Sequence, residues 1–218
     1  MPTMRRRAVK RKYDASGRKR AAERTRAKIR AAARRLFLER GYGGTTVAEI
    51  ARAAKVAVDT VYASVGTKQS LLRLLVEAAI SGTGRAVPAA QRDYVRAIRA
   101  ETSARRKLTL YAQALRRIHE RLAPILLVLK EAASSDDELT DLWKGIAARR
   151  AANMRLFVSD LAATGGLRAD VDLDEAADMI WATNAPEFYL LLIGDRGWSP
   201  DKFEEWLTRT WIRLLLRD

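Results

Sequence analysis

The 218-residue sequence predicts an all-α fold of about nine helices. Three observations carry this expectation. Apolar residues recur three and four positions apart along most of the chain, the period that lines one face of a helix. Thr46 with Glu49 and Ser135 with Glu138 have the spacing of a capping box, and Asp172 with Glu175 a related one. No convincing alternation of apolar and polar residues marks a strand, and no internal repeat or low-complexity tract interrupts the folded part.

The elements follow in order. Residues 1–22 include Pro2, Ser16 and Gly17, few apolar residues and no helical stripe, and are expected to form a disordered basic arm. From about Glu23 a first helix carries Ile29, Ala32, Ala33, Leu36 and Phe37 on one face, and Gly41 closes it. After Tyr42, Gly43 and Gly44, the Thr46 box opens a short helix to about Ala54, on Val47, Ile50 and Ala51. A turn at Lys55, Val56 and Ala57 leads to a second short helix with Val58, Val61, Tyr62 and Val65. Thr67 caps a fourth, with Leu71, Leu72, Leu75, Val76 and Ala79.

Longer helices follow from about Ser81. Gly82, Gly84 and Pro88 interrupt the fourth helix, which residues 91–98 are expected to continue after a kink. Residues 105–122 form a helix on Leu108, Tyr111, Ala112, Leu115 and Ile118, and Ala123 with Pro124 is expected to start another. Ser135 opens a long helix through Leu142, Ile146, Met154, Phe157 and Leu161, stopped at Gly165 and Gly166. Asp172 opens the next, from 173 to about 192 with a bend at Pro186. Ser199 and Pro200 precede the last, on Phe203, Trp206, Leu207, Trp211, Leu214 and Leu215.

Charge is concentrated at one end. The chain has 41 Lys and Arg against 26 Asp and Glu, a net +15. Residues 1–40 hold sixteen of those bases and three acids, so +13 resides there and +2 elsewhere. Such an end suggests a polyanionic partner, nucleic acid or an anionic membrane. It lacks the interleaved apolar residues of an amphipathic anchor, and no apolar run approaches the roughly 18 residues of a membrane span, so no membrane association is expected. No apolar segment follows Arg5, Arg6 and Arg7 as in a signal peptide, and a cytoplasmic, nucleoid-associated protein is expected. The absence of Cys excludes disulfides, thiolate metal sites and a cysteine nucleophile. The single His119, among Arg116, Arg117 and Arg121, reads as a surface or core residue. No metal, cofactor or enzymatic activity is expected, since no HExxH, Glu-x-x-His, phosphate loop or Ser/His/Asp set is present.

Two short helices joined by a tight turn and braced by a longer one form a helix-turn-helix layout, whose second helix would enter a major groove of double-stranded DNA. Residues 32–72 resemble the DNA-binding domain of the TetR family of bacterial transcriptional regulators. The resemblance rests on Ala33, Leu36 and Phe37; Gly41 and Tyr42; Thr45, Thr46 and Val47; Ile50 and Ala51; Val56; Thr60, Val61 and Tyr62; Lys68 and Leu71. It implies that Thr46, Tyr62 and Lys68 contact phosphates, although each has a plain structural use as cap, packing residue or solvated cation. Val58, Asp59, Thr60 and Ala63, with Ala48 as a weaker candidate, would face bases. This recognition helix has no Lys or Arg, and Lys55 stands where many relatives have glycine. Affinity is then expected from the basic arm, including Arg5, Arg6 and Arg7, through counterion release.

The resemblance also implies a division into the arm (1–22), a DNA-binding domain (23–81) and a helical ligand-binding and dimerisation domain (82–218). Trp181, Phe188, Tyr189, Leu190, Leu191, Leu192, Trp206 and Trp211 are more large apolar groups than one small domain needs, and a homodimer through the last two helices is expected. Tyr111, Leu115, Trp143, Met154, Phe157, Trp181, Asn184 and Phe188 are candidates to line the pocket of a hydrophobic or aromatic small-molecule effector. A repressor released from a palindromic operator by that effector is the reading these features favour. A basic protein that coats DNA with little sequence preference and no ligand is the alternative.

Overall fold

The computed structural model describes residues 15–217. Ten α-helices are present among them: α1 (Ala15–Arg40), α2 (Val47–Ala54), α3 (Val58–Val65), α4 (Lys68–Ser81), α5 (Asp93–Ala100), α6 (Ala104–Ala132), α7 (Asp137–Ala162), α8 (Leu173–Thr183), α9 (Pro186–Leu190) and α10 (Pro200–Leu215). A 3₁₀ turn (Ala89–Gln91) precedes α5 and a π turn (Leu191–Asp195) follows α9. No strand occurs among the described residues beyond an isolated bridge between Leu167 and Leu216. The all-α expectation holds.

Several boundaries depart from expectation. Residues 15–22 continue α1 as a helical extension, mostly exposed over residues 16–22, where the sequence predicts an arm. Ala, Arg and Lys are good helix formers, so this turn-by-turn extension needs no buried face. Residues 91–98 do not continue α4: Gly82, at φ 71°, ends it in the left-handed conformation, and α5 is a separate helix. Pro124 lies inside α6 instead of starting a helix. The cap of α7 is Asp136, which accepts from the Leu139 amide at 3.1 Å, while the Ser135 hydroxyl turns back to the Ala132 carbonyl. Chain 173–192 is two helices, because α8 stops at Asn184 and Pro186 occupies the first turn of α9.

Two apolar clusters form the core. The first joins Ile29, Phe37, Ile50, Leu71 and Leu72 of the N-terminal helices to Ile125 and Leu129 of α6 and Leu139 and Leu142 of α7. The second gathers Leu108, Met154, Ile180, Phe203, Leu207 and Trp211. Long α6 contributes to both, so the N-terminal helices do not close their core alone. At roughly 25 cal/mol per Å² of apolar area, the shared packing is what keeps the two regions in register. Arg121 of α6 reinforces it. Its Nε donates to the Ala79 carbonyl of α4 at 3.2 Å, and its own carbonyl accepts from Arg34 of α1 at 3.1 Å.

Candidate nucleic-acid interface and ligand cavity

Local chemistry sets the helix-turn-helix. Gly41 adopts φ 71° to end α1, and a Cβ at Gly44 would collide with the Arg40 carbonyl oxygen, so the turn after α1 is built on glycines. Buried Thr45 fastens it, donating to the Leu36 and Gly41 carbonyls, contacts a backbone-blind sequence reading does not single out. Thr46 then caps α2. Its hydroxyl oxygen accepts from the Glu49 amide at 3.2 Å, and its amide donates to Glu49 Oε2 at 2.9 Å, the expected reciprocal box. Those bonds, backbone first, hold the Glu49 carboxyl below the usual carboxylate range. Lys55, at φ 57°, makes the left-handed turn between α2 and α3, the only non-glycine with positive φ among the described residues. The helix-turn-helix therefore forms with lysine in a position that favours glycine.

Val61 anchors α3, buried to 1%, while Val58, Asp59, Tyr62 and Ala63 are exposed and Thr60 is half-buried. These residues form a solvent-facing surface small enough for a groove. Thr46 and Ala48 are exposed at the start of α2. Lys68, in the first turn of α4, lies 4.0 Å above the Tyr42 ring, and partial burial pulls its pKa down despite nearby Asp136 and Glu49. Among these candidates Lys68 is the cation, consistent with an α3 that has none. Arg5, Arg6 and Arg7 lie outside the described residues.

Behind the first cluster lies a cavity of about 620 Å³ between α5, α6, α7 and the α8–α9 junction. It brings together five of the eight expected lining residues: Tyr111, Leu115, Met154, Phe157 and Asn184. The other three lie elsewhere. Trp143 packs against the N-terminal cluster beneath Lys130 Nζ, Trp181 donates its indole N–H to the Ala147 carbonyl, and Phe188 stacks on Trp206 at 5.5 Å. Aromatic identity alone marked them, and large rings serve packing as readily as binding.

At the cavity's polar end, Arg150 and His119 join the expected Tyr111 and Asn184. Asn184 donates from Nδ2 to the Tyr111 hydroxyl at 2.9 Å and accepts at Oδ1 from Arg150, whose same nitrogen donates to the Trp181 carbonyl at 2.8 Å. His119 is buried, not at the surface, with Nε2 3.1 Å from the Asn184 carbonyl oxygen. Because a carbonyl only accepts, Nε2 carries the proton, which leaves the buried Nδ1 as an acceptor without a partner. Burial first, then the Arg150 charge, lowers the His119 pKa to about 3. Periodicity contained the signal: His119 follows Tyr111 and Leu115 at four-residue steps, and Arg150 lies midway between Ile146 and Met154 on the apolar face of α7.

On the far side, Tyr189 and Trp211 are buried in the protomer's own core, with the Trp211 indole donating to Thr183. Trp181, Phe188, Leu190, Leu192 and Trp206 are half-buried, and Leu191 and Leu214 remain exposed.

A solvent-facing helix-turn-helix thus stands on a helical bundle that holds a cavity. Residues 29–75 match the model of the bacterial regulatory proteins of the tetR family, so this helix-turn-helix segment is of TetR type. No match is found among curated proteins. Among solved structures the fold is similar to that of NalD, the secondary repressor of the MexAB-OprM multidrug efflux pump in Pseudomonas aeruginosa, at TM-score 0.69 and 24% identity, covering 91% of this chain and 99% of that one. It is also similar to FadR from Bacillus subtilis in complex with stearoyl-CoA, at TM-score 0.64 and 18% identity over 85% of this chain and 97% of that one. The SmeT–triclosan complex gives TM-score 0.63 at 18% identity, over 89% and 92%. None of the helices among the described residues is long and apolar enough to cross a membrane.

Proposed function

We propose that the protein is a homodimeric, cytoplasmic repressor that binds a palindromic operator and is released by a small molecule held in the cavity. The observation that carries this reading is the pairing of the exposed α3 face with a mostly apolar cavity lined in part by α6, the helix that contributes to both core clusters. In the complex, Thr46, Tyr62 and Lys68 would fix the protein on phosphates, and Val58, Asp59, Thr60 and Ala63, with Ala48 beside them, would read base edges. The exposed Leu191 and Leu214, with the partly exposed Trp206 and Phe188 of the same C-terminal helices, would supply the apolar dimer surface. DNA would select the conformer whose two α3 helices stand about 34–36 Å apart, and the effector a different one, so each weakens the other. That NalD is a repressor, and that FadR and SmeT form complexes with stearoyl-CoA and triclosan, supports the same reading.

The test is operator selection from random DNA, followed by affinity for the selected and a scrambled site at one physiological salt concentration. A specific-to-nonspecific ratio of about 10³ or more is expected. A ratio near one would favour the other reading, a basic protein that coats DNA, for which the +13 on residues 1–40 is the supporting observation. Compound-induced loss of the operator complex then tests the effector.

A further inference from the structure

We infer that the effector is a monocarboxylate, a compound with one carboxylate on an aromatic or aliphatic body, received by the Arg150 guanidinium at the polar end of the cavity. This rests on the cavity being the effector site, as proposed above, and specifies the chemistry of its occupant.

The electrostatics of the cavity are incomplete without an anion. Arg150 is half-buried, and a guanidinium partly withdrawn from water is stabilised by a compensating charge. Its hydrogen bonds go instead to two neutral oxygens, of Trp181 and Asn184, and the Trp181 ring flanks it at 5.1 Å. No carboxylate lies within ion-pair distance of it among the described residues. The acids nearby are committed: Asp160 pairs with Lys107 Nζ at 2.7 Å, and Glu187 faces Lys130 Nζ at 3.4 Å. Arg92, also on the cavity wall, donates to the Val87 carbonyl and has no acidic partner among the described residues. Burial accordingly lowers the Arg150 pKa, and His119 beside it stays neutral. A cationic ligand would meet uncompensated positive charge, and a neutral one would leave Arg150 as it is.

Of the three arginines on the wall, Arg92, Arg99 and Arg150, the guanidinium of Arg150 stands at the polar end beside Asn184 and suits one carboxylate. Of its five N–H donors, two are used by the protein, which leaves donors for carboxylate oxygens. The body of the ligand would lie on Tyr111, Leu115, Met154 and Phe157, in a volume typical of small-molecule sites. The nearby polar groups sit where α8 breaks into α9, so carboxylate binding would bear directly on the helices that carry the proposed dimer surface.

The experiment uses the full chain, with decanoate, naphthoate and biphenyl carboxylate each compared with its primary amide by titration calorimetry and by operator release. At least one acid is expected to bind about tenfold or more tightly than its amide. In Arg150→Met that preference should fall to about one while amide binding survives, and Arg150→Lys should restore part of it. Because Arg150 also braces Trp181 and Asn184, the acid-to-amide ratio of the wild type decides the matter even where the Met variant does not fold. Amides that bind as tightly as their acids, an acid preference that survives Arg150→Met, or no binding by any acid would overturn the inference. A neutral compound that enters the cavity and releases DNA would leave the regulator reading standing. A broad library in which nothing binds the cavity would remove both.

Discussion

Acidification should destabilise the wild-type protein more steeply than a His119→Phe variant. His119 has an ordinary pKa of 6.5, lowered in the fold to about 3 by burial and by Arg150. Below 6.5 the unfolded chain takes up a proton that the folded chain refuses, so stability present above pH 6.5 is lost as the pH falls towards the folded value. Between about pH 7.5 and about pH 5 this linkage removes about 2 kcal/mol, a large share of the stability of an ordinary domain. A phenyl ring fits the same surroundings, with the Tyr189 ring 5.2 Å and the Phe203 ring 6.2 Å from the imidazole, but cannot titrate. It forfeits the bond to the Asn184 carbonyl, so the variant should start roughly 1 kcal/mol less stable near neutrality. Urea unfolding across this range, at fixed protein concentration and ionic strength, measures both curves. The carboxylates titrate in both proteins and cancel in the difference. Curves that stay parallel to within a few tenths of a kcal/mol would refute the enclosed, neutral imidazole.

Three further outcomes are expected. Thr46→Ala removes the capping box of α2 and should cost about 1 kcal/mol in urea unfolding, with Thr46→Ser close to wild type; equal stabilities would mean the box does not hold in solution. Removing residues 2–14, which carry six Lys or Arg, should leave the described helices folded by circular dichroism and flatten the salt dependence of DNA binding by roughly 0.9 per lost phosphate contact; an unchanged slope would show that this segment makes none. Arg121→Ala should leave cavity binding within about twofold but shrink the effect of a bound effector on DNA affinity, by the 0.5–2 kcal/mol, roughly, that residues between two sites contribute. Undiminished coupling in that variant would show that the link between α4 and α6 does not pass through it.

Features fixed by near neighbours were the legible ones. The Thr46 box, the glycine stop at residue 41 and the Ser199–Pro200 start each depend on a few adjacent residues, and they stand where the pattern places them. Pro124 shows the opposite case. A proline with Ala before it and apolar residues after it reads equally as a first turn or an interior position. Burial decides: Ala123, Ile125 and Leu129 are fully enclosed, and that packing carries α6 through the bond its proline cannot make. At Ser135 and Asp136 two capping residues are adjacent, and only the path of the incoming chain selects between them. The helical residues 15–22 escaped because an apolar stripe was required of them, and a solvated extension has none. In the cavity, aromatic bulk was the wrong criterion for Trp143, Trp181 and Phe188. A charge on an otherwise apolar face, as at Arg150, was the better one, since the cost of enclosing it demands a reason.

Pro124 and Arg121 stand one turn apart on α6, the first depriving the Glu120 carbonyl of its helical donor, the second fastened to α4 and α1. A point where the helix lacks an internal bond is thus next to a point where it is tied to two other helices. If the protein answers an effector as proposed, its response threshold can be adjusted at positions that touch neither DNA nor effector. A lineage could drift in sensitivity through this joint alone, keeping the same operator and the same signal while changing the concentration at which it answers.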